Sequence, residues 1–299
     1  MTYAVTSRSI ARTIADVQPI DLHHQGCERV IGSYLLETDD GPALHDCGPS
    51  TCVERLKHGL HERGLELADV RHLLLSHIHL DHAGAAGVLV RDHPALQVHV
   101  SEVGAPHLVD PSRLEMSARR LYGDTFDALW GELAAVPEAN VNVVGSRVLG
   151  FDCFPSPGHA SHHVVYLAGD GTAYCGDAAG VRIEPHRFVM PPTPPPEVDV
   201  GAWHRTIDEL ERRRPVALAL THFGVADDVE RHLGELRTRL DGWSETVRAG
   251  ASEEQFAAVV RAEIEASEPD ALDGYDRAMP LWQSYAGLER YWRKLRDER

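Results

Sequence analysis

A chain of 299 residues, with 43% apolar and 25% charged residues, is long enough for one large or two small globular domains with a substantial core. The formal net charge of −17 argues against a nucleic-acid partner, because such a field repels phosphate. No apolar run is long enough to cross a bilayer, and the five cysteines form no C-x-x-C pair, so we expect a soluble, cytoplasmic protein with reduced thiols and no membrane partner.

The first two-thirds of the chain alternate between predicted strands and predicted helices, which indicates an α/β fold. Apolar, β-branched runs predict strands at Val30–Leu36, Leu73–Leu75, Val98–Val100, Val164–Leu167 and Val216–Leu220. Apolar residues on one helical face predict two helices, with stripes of Val53, Leu56 and Leu60 and of Trp203, Ile207 and Leu210. Pro215 ends the second of these helices, because proline cannot continue the hydrogen-bond ladder.

Two later segments do not follow this alternation of strands and helices: a proline-rich stretch and the C-terminal part of the chain. The proline density between Met190 and Glu197 predicts a stiff, extended loop that could wall a pocket. Over the last seventy or so residues the sequence predicts only helices, with apolar stripes at Val229, Leu233, Leu236 and Leu240, at Phe256, Val259, Val260 and Ile264, and at Leu281, Tyr285, Leu288, Trp292 and Leu295. We expect these helices to pack on the preceding domain; contact within a homodimer is the alternative for the last stripe.

The strongest chemical signal is the run Ser76-His-Ile-His-Leu-Asp-His82, which directly follows a buried predicted strand and precedes a predicted glycine-rich helix start at Ala83-Gly84. His77 and His79 are two residues apart, so both can project the same way from an extended backbone. Asp81 and His82 follow the turn and can face a second point nearby. Four ligand-type residues within six positions indicate a metal site rather than buried structural histidines.

Three further ligand-type residues each follow a predicted strand. His159 follows the strand Phe151–Phe154 in a Pro-Gly-His turn, Asp177 follows Thr172–Cys175, and His222 follows the strand that ends at Leu220. Active-site residues of layered α/β folds tend to lie just past the carboxyl ends of strands. This common placement predicts that the three side chains join one site with the 77–82 run.

These motifs, H-x-H-x-D-H at 77–82, P-G-H at 157–159, G-D at 176–177 and a late His222, resemble the dinuclear signature of the metallo-β-lactamase superfamily over roughly residues 14–224. The turn Leu44–Gly48 resembles the Asp-Thr-Gly turn of that family, with Cys47 in place of threonine. Within the superfamily the chain is similar to the glyoxalase-II-like hydrolases.

The resemblance implies a four-layer αββα sandwich, with residues 1–224 as the catalytic domain and residues 225–299 as a helical extension packed on it. It implies that His77, His79 and His159 hold one divalent metal, that Asp81, His82 and His222 hold the other, and that Asp177 bridges the two. Asp46 and His163 align with positions that orient metal ligands. Zinc is the expected metal, with iron and manganese as alternatives.

Such a site implies hydrolysis of an ester, thioester or lactone of a small acyl substrate by a metal-bridging hydroxide, with Asp81 and Asp177 as the catalytic carboxylates. A mononuclear-iron persulfide dioxygenase, which would use His77, His159 and Asp177, is the alternative enzyme. A non-catalytic metal-binding scaffold is the non-enzymatic alternative. Candidate pocket walls are the Pro191–Pro196 loop, Tyr122, Phe188 and the C-terminal helices.

Overall fold

A computed structural model describes residues 17–298; residues 1–16 of the predicted catalytic domain, and Arg299, lie outside the described residues. The strands are β1 (Ile20–Asp21), β2 (Gly32–Thr38), β3 (Gly41–His45), β4 (His72–Leu74), β5 (Gln97–Val100), β6 (Val141–Val143), β7 (Arg147–Val148), β8 (Phe151–Pro155), β9 (Val164–Leu167), β10 (Thr172–Gly176), β11 (Ala217–Leu220) and β12 (Gly224–Ala226). The α-helices are α1 (Val53–His61), α2 (Leu80–Ala83), α3 (Ala86–Asp92), α4 (Ala105–Val109), α5 (Ser112–Tyr122), α6 (Phe126–Trp130), α7 (Val200–Arg213), α8 (Val229–Arg248), α9 (Glu253–Ser267), α10 (Leu272–Ala278) and α11 (Leu281–Asp297).

Every predicted strand is present, with its ends within two residues of the predicted ones. Helix α7 begins at Val200 because Asp199 caps it: the Asp199 carboxylate accepts a hydrogen bond of 2.8 Å from the amide of Ala202. Helix α5 was not among the predicted elements, and Ala118 is its only buried residue.

Two six-stranded sheets are formed by the described residues. The first sheet follows chain order from β1 to β6, with β3 to β6 parallel. The second runs from β7 to β12, and only β10 and β11 are parallel neighbours. Strands β8, β10 and β11 nevertheless point the same way, because β9 is antiparallel to both β8 and β10. Their carboxyl ends therefore share one edge.

Aromatic side chains fill the space between the two sheets. Tyr34 of β2 meets Tyr174 of β10 edge to face, with ring centroids 5.5 Å apart. The Tyr34 hydroxyl donates to the carbonyl of Leu220 at 2.8 Å, and the Tyr166 hydroxyl donates to the carbonyl of Leu75 at 2.9 Å. Burying each ring contributes about 2 kcal/mol to the free energy of unfolding, and each hydroxyl finds its hydrogen-bond acceptor on the side of the opposite sheet. These contacts fix the sheets face to face.

Helices cover the outer faces of the sheets and confirm the predicted four-layer sandwich with C-terminal helices. Trp243 of α8 packs edge-on against Phe256 of α9, with centroids 5.5 Å apart. The Trp292 indole of α11 donates to the carbonyl of Ser244 at 3.0 Å. The predicted division of the chain at residue 224 stays a prediction. No helix within residues 17–298 combines the length and apolarity that crossing a membrane requires.

Candidate metal centre

The turn after β4 and the start of α2 carry four of the predicted ligands. His77 and His79 lie in the turn between Leu74, where β4 ends, and the helix. Asp81 and His82 lie in the helix that follows. His77 and His82 are fully buried, so their ring nitrogens have no access to bulk water.

The helix begins earlier than the predicted start at Ala83-Gly84. Helix α2 begins at Leu80, and the amide of Ala83 already donates to the carbonyl of His79 at 2.9 Å. The expected start was wrong because the chain enters the helix directly after His79. As a result Asp81 and His82 lie in the first helical turn.

The other three predicted ligands follow strand ends of the second sheet. His159 comes after β8, Asp177 directly after β10 and His222 after β11. Each side chain is about 1% exposed. The shared edge of these strands brings all three to the turn that follows β4.

The seven predicted ligands lie together in three overlapping groups whose ligand atoms are within 4.8 Å of one another. The first group is His77, His79 and His159, the second is Asp81, His82 and His222, and the third is His77, His82 and Asp177. The geometry thus unites side chains from both sheets at one sheet edge.

The first group is tightly spaced around His79. The Nδ1 atom of His79 lies 2.9 Å from Nε2 of His77 and 2.9 Å from Nε2 of His159. One carboxylate oxygen of Asp177 lies 3.3 Å from Nε2 of His159. Three nitrogen atoms and a carboxylate oxygen therefore face one small volume.

The second group lies on the other side of Asp177. Nε2 of His222 is 3.3 Å from the Asp81 carboxylate, and Nε2 of His82 is 3.8 Å from it. The second oxygen of Asp177 lies 3.5 Å from His82 Nε2 and 3.6 Å from His222 Nε2. The two Asp177 oxygens thus face different groups of ligands.

Three of these atoms are buried without any hydrogen-bond partner: His82 Nε2, His222 Nε2 and Asp177 Oδ1. An unpaired buried polar atom costs free energy, so a convergent set of them calls for a bound group. Nitrogen and carboxylate donors that face one another suit divalent transition metals. The residues present therefore fit metal ions.

Hydrogen bonds behind the rings fix which nitrogen faces the site. Nδ1 of His82 lies 2.7 Å from the Asp46 carboxylate, Nδ1 of His159 lies 2.8 Å from the carbonyl of Pro192, and Nδ1 of His222 lies 2.5 Å from the carbonyl of Val30. Each acceptor requires a proton on Nδ1. The Nε2 lone pairs are therefore free to bind a metal.

Asp46 is the centre of a buried network. Its carboxylate accepts hydrogen bonds of 2.8 Å from the amide and the hydroxyl of Ser76 and from the Thr221 hydroxyl, besides the one from His82. Burial raises the pKa of this carboxyl, but His45, His82 and the hydrogen bonds outweigh burial and hold the pKa well below its usual range. Asp46 therefore stays ionised and joins both sheets beneath the site.

His163 supports the site from the second sheet. Its Nε2 accepts a hydrogen bond of 3.2 Å from the amide of Asp177, so its Nδ1 carries the proton and donates to the Ser156 hydroxyl at 2.8 Å. The ring also stacks on His77, with centroids 4.8 Å apart. His163 thus holds the backbone of one predicted ligand and the ring of another.

The charge states of His77, His79 and Asp177 suit cation binding. Burial lowers the pKa of His77 and of His79, and the neighbouring imidazoles lower both further. Burial raises the pKa of Asp177, yet His82 and His159 outweigh it and hold that pKa well below the usual range. Neutral imidazoles and ionised carboxylates are the forms that bind metals. Burial lowers the pKa of His82 and of His222 as well, but the carboxylates of Asp177 and Asp81 outweigh burial and raise both pKa values.

Two cavities of about 90 Å³ each adjoin the site. The first cavity opens beside His79, Asp81, His159 and Asp177. The second cavity opens beside Asp81 and His222. Five residues line both: Asp81, Tyr122, Trp130, Met279 and Gln283.

The cavity walls agree with part of the prediction. Tyr122 and the prolines 194–196 line the first cavity, as predicted, and the C-terminal helical segment contributes Met279 and Gln283. Phe188 does not line either cavity: it is fully buried against Tyr275 and beneath the Arg239 guanidinium. Trp130 was missed because no local motif marks it. Trp130 reaches the site only when the chain has folded.

The sequence matches the family model of the metallo-beta-lactamase superfamily over residues 29–222, so the chain belongs to this superfamily. It is 25% identical over 179 residues to the metallo-beta-lactamase fold-containing protein ST1585 of Sulfurisphaera tokodaii, covering 56% of this chain and 67% of that protein. It is 25% identical over 203 residues to the probable metallo-hydrolase Rv2300c of Mycobacterium tuberculosis, covering 54% of this chain and 63% of that protein.

Solved structures share the fold. The metallo-beta-lactamase family protein TTHA1429 from Thermus thermophilus has a TM-score of 0.63 and 22% identity, covering 90% of this chain and 89% of that one. TTHA1623, whose structure was solved in a di-iron-bound form, has a TM-score of 0.53 and 24% identity, covering 70% of this chain and 93% of that one.

Proposed function

We propose that the protein is a dinuclear metal-dependent hydrolase of an ester, thioester or lactone. The observation that carries this proposal is the position of the Asp177 carboxylate, whose two oxygens face two separate sets of ligand atoms. A single metal would leave one of these sets buried and unpaired, at a cost in free energy. Two metals would satisfy both.

In this proposal His77, His79 and His159 hold one metal, Asp81, His82 and His222 hold the other, and Asp177 joins them. When bound, such a metal pair lowers the pKa of a water molecule and polarises a carbonyl oxygen. The chain contributes by keeping the rings in the tautomer that binds metal, through Asp46 and two main-chain carbonyls. The two cavities would receive the parts of the substrate on either side of the bond that breaks.

The alternative is a mononuclear-iron persulfide dioxygenase that would use His77, His159 and Asp177. The second group of ligands argues against it, because such an enzyme has no use for His222 held 3.3 Å from Asp81. The similarity to Rv2300c, a probable metallo-hydrolase, also favours hydrolysis. The ester-type reaction rests on the resemblance to glyoxalase-II-like hydrolases. Iron is tested beside zinc and manganese because TTHA1623 was solved with two irons.

Metal analysis and a substrate panel test this proposal. Protein reconstituted separately with zinc, iron and manganese should bind two metals per chain and hydrolyse at least one class among activated esters, thioesters and lactones. Binding of one iron per chain, with oxygen consumption on addition of a persulfide, would instead establish the dioxygenase. Metal binding without turnover of any substrate in the panel would point to a scaffold.

The variant His222→Ala tests the second group of ligands. It should reduce the metal content from two per chain to one and abolish turnover, while the circular dichroism spectrum stays unchanged. His61→Ala is the matched control, since this side chain is 73% exposed and lies on α1, away from the site. A His222→Ala protein that keeps two metals would contradict the proposed ligand set.

A further inference from the structure

We infer that the acyl group of the substrate is short, uncharged and apolar and that it lies in the first cavity; this inference rests on the proposed function. The cavity lies directly beside the predicted ligands His79, Asp81, His159 and Asp177. A carbonyl carbon at these ligands would therefore carry its acyl tail into the space between α5, the proline loop and the C-terminal helices.

The outer walls of this cavity are largely apolar. Leu114 and Leu121 of α5 face Met279 and the prolines 194–196, and Trp130 lies on the same wall. The Trp130 ring is held in place by Tyr122, at a centroid distance of 5.1 Å, and stacks on His24. An apolar tail would gain the free energy of leaving water against these surfaces.

Apart from the metals of the proposed site, the cavity offers no cation to an acidic tail. None of the described residues that line it is a lysine or an arginine. Its carboxylates, Asp81 and Asp177, belong to the predicted metal ligands, where the carbonyl end of the substrate would lie and not its tail. Arg277 lines only the second cavity, where it also contacts the Cys27 thiol. A carboxylate in the first cavity would lose its hydration without gaining a partner.

The size of the cavity restricts the length of the tail. Pockets for drug-sized ligands span about 300–1,000 Å³, whereas this cavity has about 90 Å³. The hydrogen bond of 3.3 Å from the Tyr122 hydroxyl to Gln283 ties α5 to α11 across it. Long acyl chains would have to separate these two helices, so short chains fit best.

Matched ester substrates test the charge of the tail. The ethyl ester of butyrate and the monoethyl ester of succinate differ only in a terminal methyl or carboxylate group, and the poor ethoxide leaving group keeps the succinate carboxylate from attacking its own ester. The metal-loaded protein should hydrolyse the butyrate ester with a kcat/KM about thirtyfold higher, and above that of the decanoate ester. Equal values for butyrate and succinate, or a preference for succinate or decanoate, would overturn the inference while leaving the proposed hydrolysis intact.

A designed reversal tests the location. Leu121→Arg places a cation at the rim of the first cavity, and should shift the ratio of kcat/KM toward the succinate ester by about tenfold. Met116→Arg is the matched control: both positions are exposed apolar residues of α5, at 36% and 59%, but Met116 does not line the cavity. Its ratio should equal that of the wild type. An equal shift in both variants, or none in Leu121→Arg, refutes the location.

Calorimetric binding of butyrate and succinate to the metal-loaded proteins separates this inference from the proposed reaction. Coordination of the carboxylate head is common to the wild type and to Leu121→Arg, so the change in the ratio of the two dissociation constants reports the tail. A tenfold shift toward succinate in Leu121→Arg alone supports the inference even if no ester is hydrolysed. The absence of that shift overturns it whatever the activity.

Discussion

Replacement of Asp46 by asparagine changes one atom in the network beneath the site. If the amide oxygen keeps the hydrogen bond from the amide of Ser76, the new NH₂ group faces Nδ1 of His82 and the hydroxyls of Ser76 and Thr221. Both hydroxyls can rotate and accept. The imidazole cannot, unless its proton moves from Nδ1 to Nε2, the atom that faces Asp81 and Asp177.

The size of the effect follows from these contacts. Loss of one charge-assisted hydrogen bond in a fully buried position should destabilise the fold by about 1.5–3 kcal/mol. A proton on Nε2 removes the lone pair that binds the metal, and loss of such an orienting contact lowers metal affinity by about 10–100-fold. The ligand side chains themselves are unchanged.

Competition with a chelator of known affinity measures the metal affinity of Asp46→Asn, and urea unfolding measures its stability. Asp199→Asn is the control: Asp199 caps α7 from an exposed position, and asparagine caps a helix as well as aspartate does. It should alter neither quantity. A folded Asp46→Asn protein with the metal affinity of the wild type would refute the assigned role of Asp46.

Two glycines and one histidine give further predictions. A Cβ at Gly158, where φ is +140°, would lie 2.4 Å from the Trp203 backbone, so Gly158→Ala should displace the His159 loop and lower both metal content and stability. Gly242→Ala on α8 meets nothing within 4 Å and should raise the free energy of unfolding by about 0.5–1 kcal/mol; urea unfolding distinguishes the two. Burial lowers the pKa of His232 from 6.5 to about 4. Below pH 6.5 the unfolded chain therefore binds a proton at this histidine that the folded chain does not bind, so the free energy of unfolding decreases as the pH is lowered. Between pH 7.5 and 5.5 this loss is about 1 kcal/mol, and His232→Gln should remove it from the measured pH dependence.

The sequence was informative wherever the signal was local. Apolar runs mark the strand ends at Leu74, Gly176 and Leu220, and ligand-type residues follow each of these ends. Asp81 and His82 lie further on, in α2. The helix start was predicted too late, at Ala83-Gly84, whereas the amide of Gly84 already donates to the carbonyl of Leu80 within the helix. Helix α5 went unpredicted because it buries only one residue, Ala118. That residue packs in a small apolar cluster with Phe126 and Leu80, which come from other segments of the chain.

Cavity walls were less predictable, because they consist of residues that meet only after folding. Trp130, Met279 and Gln283 come from segments separated by some 150 positions, and none carries a motif. Phe188, which follows Asp177 in the sequence, was among the expected pocket walls. The chain turns it instead into the core beneath α10, where the Tyr275 hydroxyl donates to its carbonyl. Sequence proximity to a ligand is therefore a weak guide to the pocket.

The acceptors behind the imidazoles differ in how a genetic change can reach them. His159 and His222 donate to the main-chain carbonyls of Pro192 and Val30, and every substitution at those two positions keeps the carbonyl. His82 depends on a single carboxylate. In a saturation library, positions 192 and 30 should tolerate any side chain that packs, whereas position 46 should accept aspartate alone. Among the three acceptors, only the one at position 46 can therefore be removed by a single substitution.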